Sequence, residues 1–131
     1  MRICVTGAFG VTSLVKRLVF DTFSLHHKPT ILTTKYRVDD FEIVDIPASA
    51  APMQCCILIM TCKTQKEIEP LARLWFGLHR HLVVAFYGNS KEQAKLCPDP
   101  HFVRTDNMSR DGILEILRII HTYKYKQNAL K

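Results

Sequence analysis

The chain has 131 residues, of which 47% are hydrophobic and 23% are charged, and its formal net charge is +6. These values are typical of a single globular domain spanning residues 1–131, with enough apolar side chains for a substantial core. No apolar run approaches the roughly 18 residues needed to cross a bilayer. The ends carry neither a signal-peptide pattern nor a lipidation box, so we expect no membrane anchor.

The cysteines indicate a reducing compartment. Five of them, an odd number, occur at Cys4, Cys55, Cys56, Cys62 and Cys97. Most lie in strand-like apolar runs, where a free cysteine behaves as a small hydrophobic side chain. No pair has C-x-x-C spacing and no histidine cluster completes a zinc set, so we predict no metal site. Reduced thiols are typical of the cytoplasm or the nucleus.

Hydrophobic periodicity predicts six strands and three main helices. In chain order we expect a strand at 2–6, a helix at 12–23, strands at 31–38, 41–46 and 55–61, a helix at 65–79, a strand at 82–87, a short helical piece at 91–96, a strand at 101–105 and a last helix after Ser109. One hairpin followed by strand–helix alternation predicts an α/β domain, with a mainly parallel sheet and helices on both faces.

In such sheets, ligands bind beyond the carboxyl ends of the strands. Gly7 and Gly10 stand there before the first helix, where backbone N–H groups and the helix dipole suit an anion. The alternative is that the two glycines only make a tight strand-to-helix turn. Thr12 either caps this helix or binds a metal ion, and Asp45 either holds Mg²⁺ through water or shapes a turn.

Five segments, in the right order, resemble the nucleotide-binding motifs of the Ras-like small GTPases. They are Gly7-Ala8-Phe9-Gly10-Val11 for the phosphate loop, Pro29-Thr30-Ile31 for switch I, Asp45-Ile46-Pro47-Ala48 for D-x-x-G, Gly88-Asn89-Ser90-Lys91-Glu92 for base recognition and Thr105-Asp106-Asn107 for the last loop. The resemblance runs from the first strand to the last helix and implies a Ras-like P-loop fold. If GTP or GDP binds, it implies contacts from Gly7, Gly10, Val11, Thr12, Ser13, Thr30, Asp45, Asn89, Lys91 and Glu92.

The departures from this family remove the catalytic parts. Counted from Gly7 without a gap, Ser13 replaces the phosphate-binding lysine; with Thr12 placed on the Ser/Thr position, the Gly-Lys pair is absent. Ala48 replaces the glycine of D-x-x-G, and Ser49 stands where active members have the glutamine that orients water. Only seven residues separate Pro47 from the next strand, so the switch II helix is predicted to be deleted. We therefore predict no catalytic residue and no required cofactor.

The sequence favours a pseudo-GTPase that binds protein partners as a scaffold or complex subunit. The sheet exposed by the missing switch II helix is one candidate interface. The basic end of the last helix is the other, and it comprises Arg118, His121, Lys124 and Lys126. These cations also complement the helix dipole, which is the simpler explanation. A divergent GTP or GDP binder is the first alternative, and a nucleic-acid-binding domain, with few aromatic side chains for base stacking, is the second.

Overall fold

The structure is a computed structural model that describes residues 1–7, 10–20, 33–38, 41–63, 65–87, 101–105 and 110–129. Its elements are β1 (Arg2–Gly7), α1 (Val11–Phe20), β2 (Thr34–Val38), β3 (Phe41–Asp45), β4 (Cys55–Cys62), α2 (Gln65–Leu74), β5 (His79–Tyr87), β6 (His101–Thr105) and α3 (Arg110–Ala129). The predicted helical piece at 91–96 and the predicted cap at Ser109 lie outside the described residues.

The six strands form one sheet in the order β2-β3-β1-β4-β5-β6. The β2–β3 pair is antiparallel, and every other pair is parallel. The α/β class and the mainly parallel sheet are thus confirmed. A sheet of this kind has two unlike edges: the carboxyl edge, where the parallel strands end, and the amino edge, where they begin.

Helices cover both faces of the sheet, as the sequence predicts. On one face, α1 and α3 pack against the strands through Leu14, Val15 and Ile116. On the other face, α2 and the turn after it pack through Leu71 and Trp75. Because β4 lies between these two layers, its middle residues are buried on both faces, which explains its uninterrupted apolar sequence.

The second helix is shorter than its periodicity predicts. The expected helix at 65–79 ends at Leu74, and β5 begins at His79 rather than at residue 82. The chain turns between them at Gly77, whose φ of 80° is costly for any residue with a Cβ. Trp75 remains bonded to the helix through its N–H to the Leu71 carbonyl and is buried, as the sequence predicts.

The connection from β3 to β4 contains no helix, as its short length predicts. A turn closes it, in which the Ala50 N–H donates to the Pro47 carbonyl at 3.0 Å. Ala50 and Met53 then pack against the core cluster beneath them, where Cys4 and Val44 are fully buried. The expectation that a missing helix leaves this part of the sheet exposed is therefore wrong, because the short connection lies over it.

Candidate functional site

Gly7 brings β1 and β4 together at the carboxyl edge. A Cβ on Gly7 would stand 2.2 Å from both the carbonyl oxygen and Oγ1 of Thr61, and its φ is +149°. The Thr61 hydroxyl in turn reaches the Thr6 carbonyl at 3.5 Å. Glycine is thus required here by the packing of two strands, whether or not an anion binds.

Gly10 caps α1, and the expectation that Thr12 does so is wrong. The helix begins at Val11, and the Leu14 N–H donates to the Gly10 carbonyl at 3.0 Å. Thr12 is therefore already inside the first turn, and Gly10, with a φ of 69°, makes the turn into the helix. Val11 is buried in the core rather than directed to a ligand. Ser13 lies in α1, but its side chain is outside the described part of the chain.

The Thr12 hydroxyl instead joins α1 to β3. Its Oγ1 donates to Oδ2 of Asp45 at 2.9 Å. Asp45 is the last residue of β3, pairs in register with Val5 of β1 and is only 2% exposed. A buried carboxylate is stable only when donors surround it, so this hydrogen bond stabilises the packing of the helix against the sheet.

This pair does not by itself make a metal site. Mg²⁺ takes one or two protein side chains and completes its octahedron with water and phosphate oxygens, so a hydroxyl and a carboxylate that bond to each other do not define a site without those further ligands. Across the described segments, no group of three or more His, Cys, Asp or Glu side chains is placed to hold a metal ion.

The carboxyl edge thus brings together five of the predicted nucleotide-binding residues: Gly7, Gly10, Val11, Thr12 and Asp45. Thr105, which ends β6 opposite Tyr87, lies at the same edge. Thr30, Asn89, Lys91 and Glu92 lie outside the described residues.

The basic end of α3 packs largely against its own domain. The His121 ring meets the Phe41 ring edge-on, with centroids 5.6 Å apart, and Lys124 Nζ lies 4.9 Å from the centre of the same ring. Arg118 forms an ion pair with Glu115, one turn earlier in the helix. These three side chains therefore make intramolecular contacts, and Lys126 is exposed.

The amino edge carries a pocket that sequence reasoning missed. It has a volume of about 460 Å³ and is lined by Arg2, Gln54, Cys55, Cys56, Gly77, Leu78, His79 and Arg80. A second depression of about 260 Å³ is lined by Met1, Arg2, Arg37 and Glu42. Arg2 belongs to both. Its Nε donates to Glu42 Oε1 at 3.1 Å, and its Nη1 donates to the Gln54 carbonyl at 3.4 Å.

Two titratable groups of this pocket are perturbed by their surroundings. Burial lowers the pKa of His79, which favours its neutral form. A hydrogen bond from the Cys4 thiol lowers the pKa of Cys55, against the effect of desolvation and with the help of the Arg2 charge. The same hydrogen bond, together with burial, raises the pKa of Cys4 far above its usual range.

No sequence motif could have indicated the pocket, since its lining comes from three separate stretches of the chain. They meet only because β1, β4 and β5 are parallel and begin side by side, with Cys55 opposite His79. No protein-family model matches the chain, and no curated protein matches it either. Within the described residues, no helix is long and apolar enough to cross a membrane.

Proposed function

We propose that this chain is a catalytically inactive, small-GTPase-like domain that acts as a protein-binding scaffold or complex subunit. It would work without nucleotide-driven switching and without a resident cofactor. The proposal places it in a reducing compartment, the cytoplasm or the nucleus, where the free thiols at Cys4, Cys55, Cys56 and Cys62 would persist.

The observation that carries this proposal is the direct hydrogen bond between Thr12 and Asp45. The resemblance makes these two residues the candidates for holding Mg²⁺, and in the structure their direct hydrogen bond joins α1 to β3. This part of the carboxyl edge is therefore held together within the chain without a ligand. Nucleotide switches depend on loops that a bound phosphate and its metal ion order. The 46–54 connection is already fixed by the Pro47–Ala50 turn and by Met53.

The start of α1 further supports the loss of phosphoryl-transfer chemistry. If Thr12 takes the Ser/Thr position of the phosphate loop, Gly10 takes the preceding glycine and Val11 the lysine. Gly10 is therefore present in that alignment, which corrects our expectation that the whole Gly-Lys pair is missing. Val11 is buried and uncharged, so it cannot neutralise phosphate oxygens. Phosphoryl transfer is catalysed mostly by positioning the phosphate and by neutralising its charge. Without the lysine, this loop lacks the charge neutralisation.

A divergent GTP or GDP binder remains the second candidate, because one feature favours it. Gly10 opens a ten-residue helix at the carboxyl edge, and the first N–H groups of such a helix attract anions. Nucleic-acid binding through the basic end of α3 has less support, since His121 and Lys124 pack on Phe41.

Thermal unfolding with and without GTP, GDP or ATP plus Mg²⁺ separates the two leading candidates. A ligand that binds only the native state stabilises it by about 2.7 kcal/mol at a hundredfold excess over its Kd. We expect no change in Tm with any nucleotide. A rise with guanine nucleotides alone, absent in Asp45→Ala compared at its own baseline Tm, would overturn the scaffold proposal in favour of nucleotide binding.

A further inference from the structure

We infer that the amino edge is the docking site for an acidic segment of a partner protein, one that carries an apolar side chain beside its carboxylates. This inference rests on the proposed scaffold function and deepens it by assigning a surface and a partner chemistry. The docking surface consists of the pocket around Arg2 and Arg80, the adjoining depression at Arg37 and a rim, the two exposed apolar residues Leu74 and Phe76 that precede the pocket wall in the chain.

The shape of the docking surface suits an extended segment. The larger pocket, about 460 Å³, is an open recess at the surface rather than an enclosed cavity. The smaller depression, about 260 Å³, shares Arg2 with it, so the two form neighbouring recesses. Arg2 is held at Nε by Glu42 and at Nη1 by Gln54, which fixes its guanidinium between them. A side chain held in this way loses little further conformational entropy when a carboxylate binds.

The charge of the docking surface is unbalanced. Three arginines, Arg2, Arg37 and Arg80, line the two recesses, and Glu42 is the one acidic residue among the lining side chains. Arg37 and Arg80 are exposed, and Arg80 also lies beside the Tyr123 hydroxyl, so both guanidinium groups are at the surface where a ligand can reach them. Guanidinium groups bind carboxylates through paired, charge-assisted hydrogen bonds, so this surface selects an acidic ligand.

The rim of the docking surface is apolar, which is the second feature of the partner. Phe76 is 86% exposed and Leu74 is 59% exposed, and both stand just before Gly77 and Leu78 of the pocket wall. An exposed aromatic side chain beside a recess is typical of the residues that dominate protein–protein binding energy. The partner segment is therefore expected to place an apolar side chain against Phe76.

These features favour a protein segment over a nucleic acid. A phosphate backbone gains affinity from each phosphate that a cation neutralises, and the carboxylate of Glu42 already neutralises Arg2 within this surface. Single-stranded nucleic acids also need several stacking platforms, whereas the described rim offers one aromatic ring. A peptide can place its carboxylates at the arginines and leave the position opposite Glu42 uncharged.

Selection of a phage-displayed random dodecapeptide library on the immobilised chain tests this inference. We expect the enriched peptides to combine Asp or Glu with Leu, Phe or Trp. Fluorescence anisotropy then compares the wild type with Arg80→Glu and Phe76→Ala, each of which should weaken binding about tenfold or more. Lys66→Glu is the matched control, because Lys66 is an exposed cation on the first turn of α2, at the opposite edge of the sheet. Lys66→Glu should bind the enriched peptides with an affinity within about twofold of the wild type.

The outcomes separate this inference from the function on which it rests. Enriched peptides that bind Arg80→Glu as tightly as Lys66→Glu would overturn the docking site and leave the scaffold function standing. Failure to enrich any acidic peptide would overturn the docking site as well. An oligothymidylate of equal charge that binds more tightly than the peptides, and loses affinity in Arg80→Glu, would replace it with nucleic-acid binding. A guanine-nucleotide shift in Tm would instead contradict the scaffold function. Circular dichroism of each variant verifies that it is folded.

Discussion

The two edges of this sheet differ in how deeply their polar residues are buried. At the carboxyl edge, the Thr12 hydroxyl donates to the buried carboxylate of Asp45, and Gly7 lets two strands approach closely. At the amino edge, Arg2 lines two open recesses and Arg80 is exposed to solvent. Among the described residues, those that resemble a ligand site make contacts within the protein, and the edge without a motif carries the open recesses.

In this contrast, the motif-like residues make contacts within the fold, and the open recess carries no motif. A buried polar group needs a partner inside the protein, so the fold depends on Asp45 and cannot easily release it. An exposed guanidinium such as that of Arg80 stays hydrated, and its ion pairs contribute little to stability. It can therefore exchange its contacts for those of a ligand. Stability and function can therefore be tested separately at the two edges.

The largest expected effect comes from the glycine of the carboxyl edge, and the glycine of the amino edge provides the comparison. Gly7→Ala should lower the free energy of unfolding by about 3 kcal/mol or more, because its Cβ would overlap Thr61 and its φ is positive. Gly77→Ala should cost only about 1 kcal/mol, since nothing lies within 4 Å and only the φ of +80° is strained. Urea unfolding measures both. Equal losses at the two positions would contradict the tight contact at the carboxyl edge.

Removal of the hydroxyl at the carboxyl edge should have the next largest effect. Thr12→Val keeps the shape of the side chain but leaves the carboxylate of Asp45 without this donor, at a cost of about 2 kcal/mol. Thr12→Ser retains the hydroxyl and should cost less than about 1 kcal/mol. A double-mutant cycle with Asp45→Asn, followed by urea unfolding, isolates the interaction. A coupling energy near zero would show that the contact does not stabilise the fold.

Alkaline pH should destabilise the protein through Cys62, at the end of β4. Burial raises the pKa of Cys62 to about 12 from an ordinary value of 9.0. Above pH 9.0 the Cys62 thiol therefore stays protonated in the folded state but loses its proton in the unfolded state. The free energy of unfolding is at its full value below pH 9.0 and falls as the pH rises. The loss should reach about 1.4 kcal/mol by about pH 10. In Cys62→Ala the unfolding free energy should fall less steeply between those pH values; an unchanged slope would contradict this assignment.

Acidic pH should weaken the amino edge through His79. Burial lowers the pKa of His79 below its ordinary value of 6.5, so the unfolded chain takes up a proton before the folded protein does. Stability should therefore decline as the pH falls below 6.5, and His79→Gln should make that decline shallower. Chemical unfolding over the range from about pH 7 to pH 5 measures this difference. A decline that is as steep in His79→Gln as in the wild type would contradict this assignment.

The smallest effects are expected from the basic end of α3. Lys124→Ala removes a cation from the face of Phe41 and should cost about 0.5 kcal/mol. Arg118→Ala breaks only an exposed ion pair with Glu115 and should change the unfolding free energy by less than about 0.5 kcal/mol. Thermal unfolding compares them. A larger loss from Arg118→Ala than from Lys124→Ala would reverse the roles assigned to these two cations.

The sequence by itself predicted the class of the fold from local patterns. The stripe of Leu14, Val15 and Leu18 requires a helix with one buried face, and the apolar run from Cys55 to Thr61 requires a strand covered on both faces. Both predictions are confirmed, because hydrophobic periodicity reflects burial directly. The predicted end of α2 was wrong: Trp75 and Leu78 continue the helical spacing, but the positive φ of Gly77 turns the chain.

The tertiary structure alone decided what the polar residues do. Thr12 and Asp45 are 33 positions apart, and no local pattern indicates that they bond to each other. The pocket at the amino edge depends likewise on the parallel alignment of β1, β4 and β5, which places Arg2 near Arg80. Periodicity determines which side chains are buried, because it is a property of a single segment. Hydrogen bonds and open recesses form between segments, so only the packed sheet could determine them.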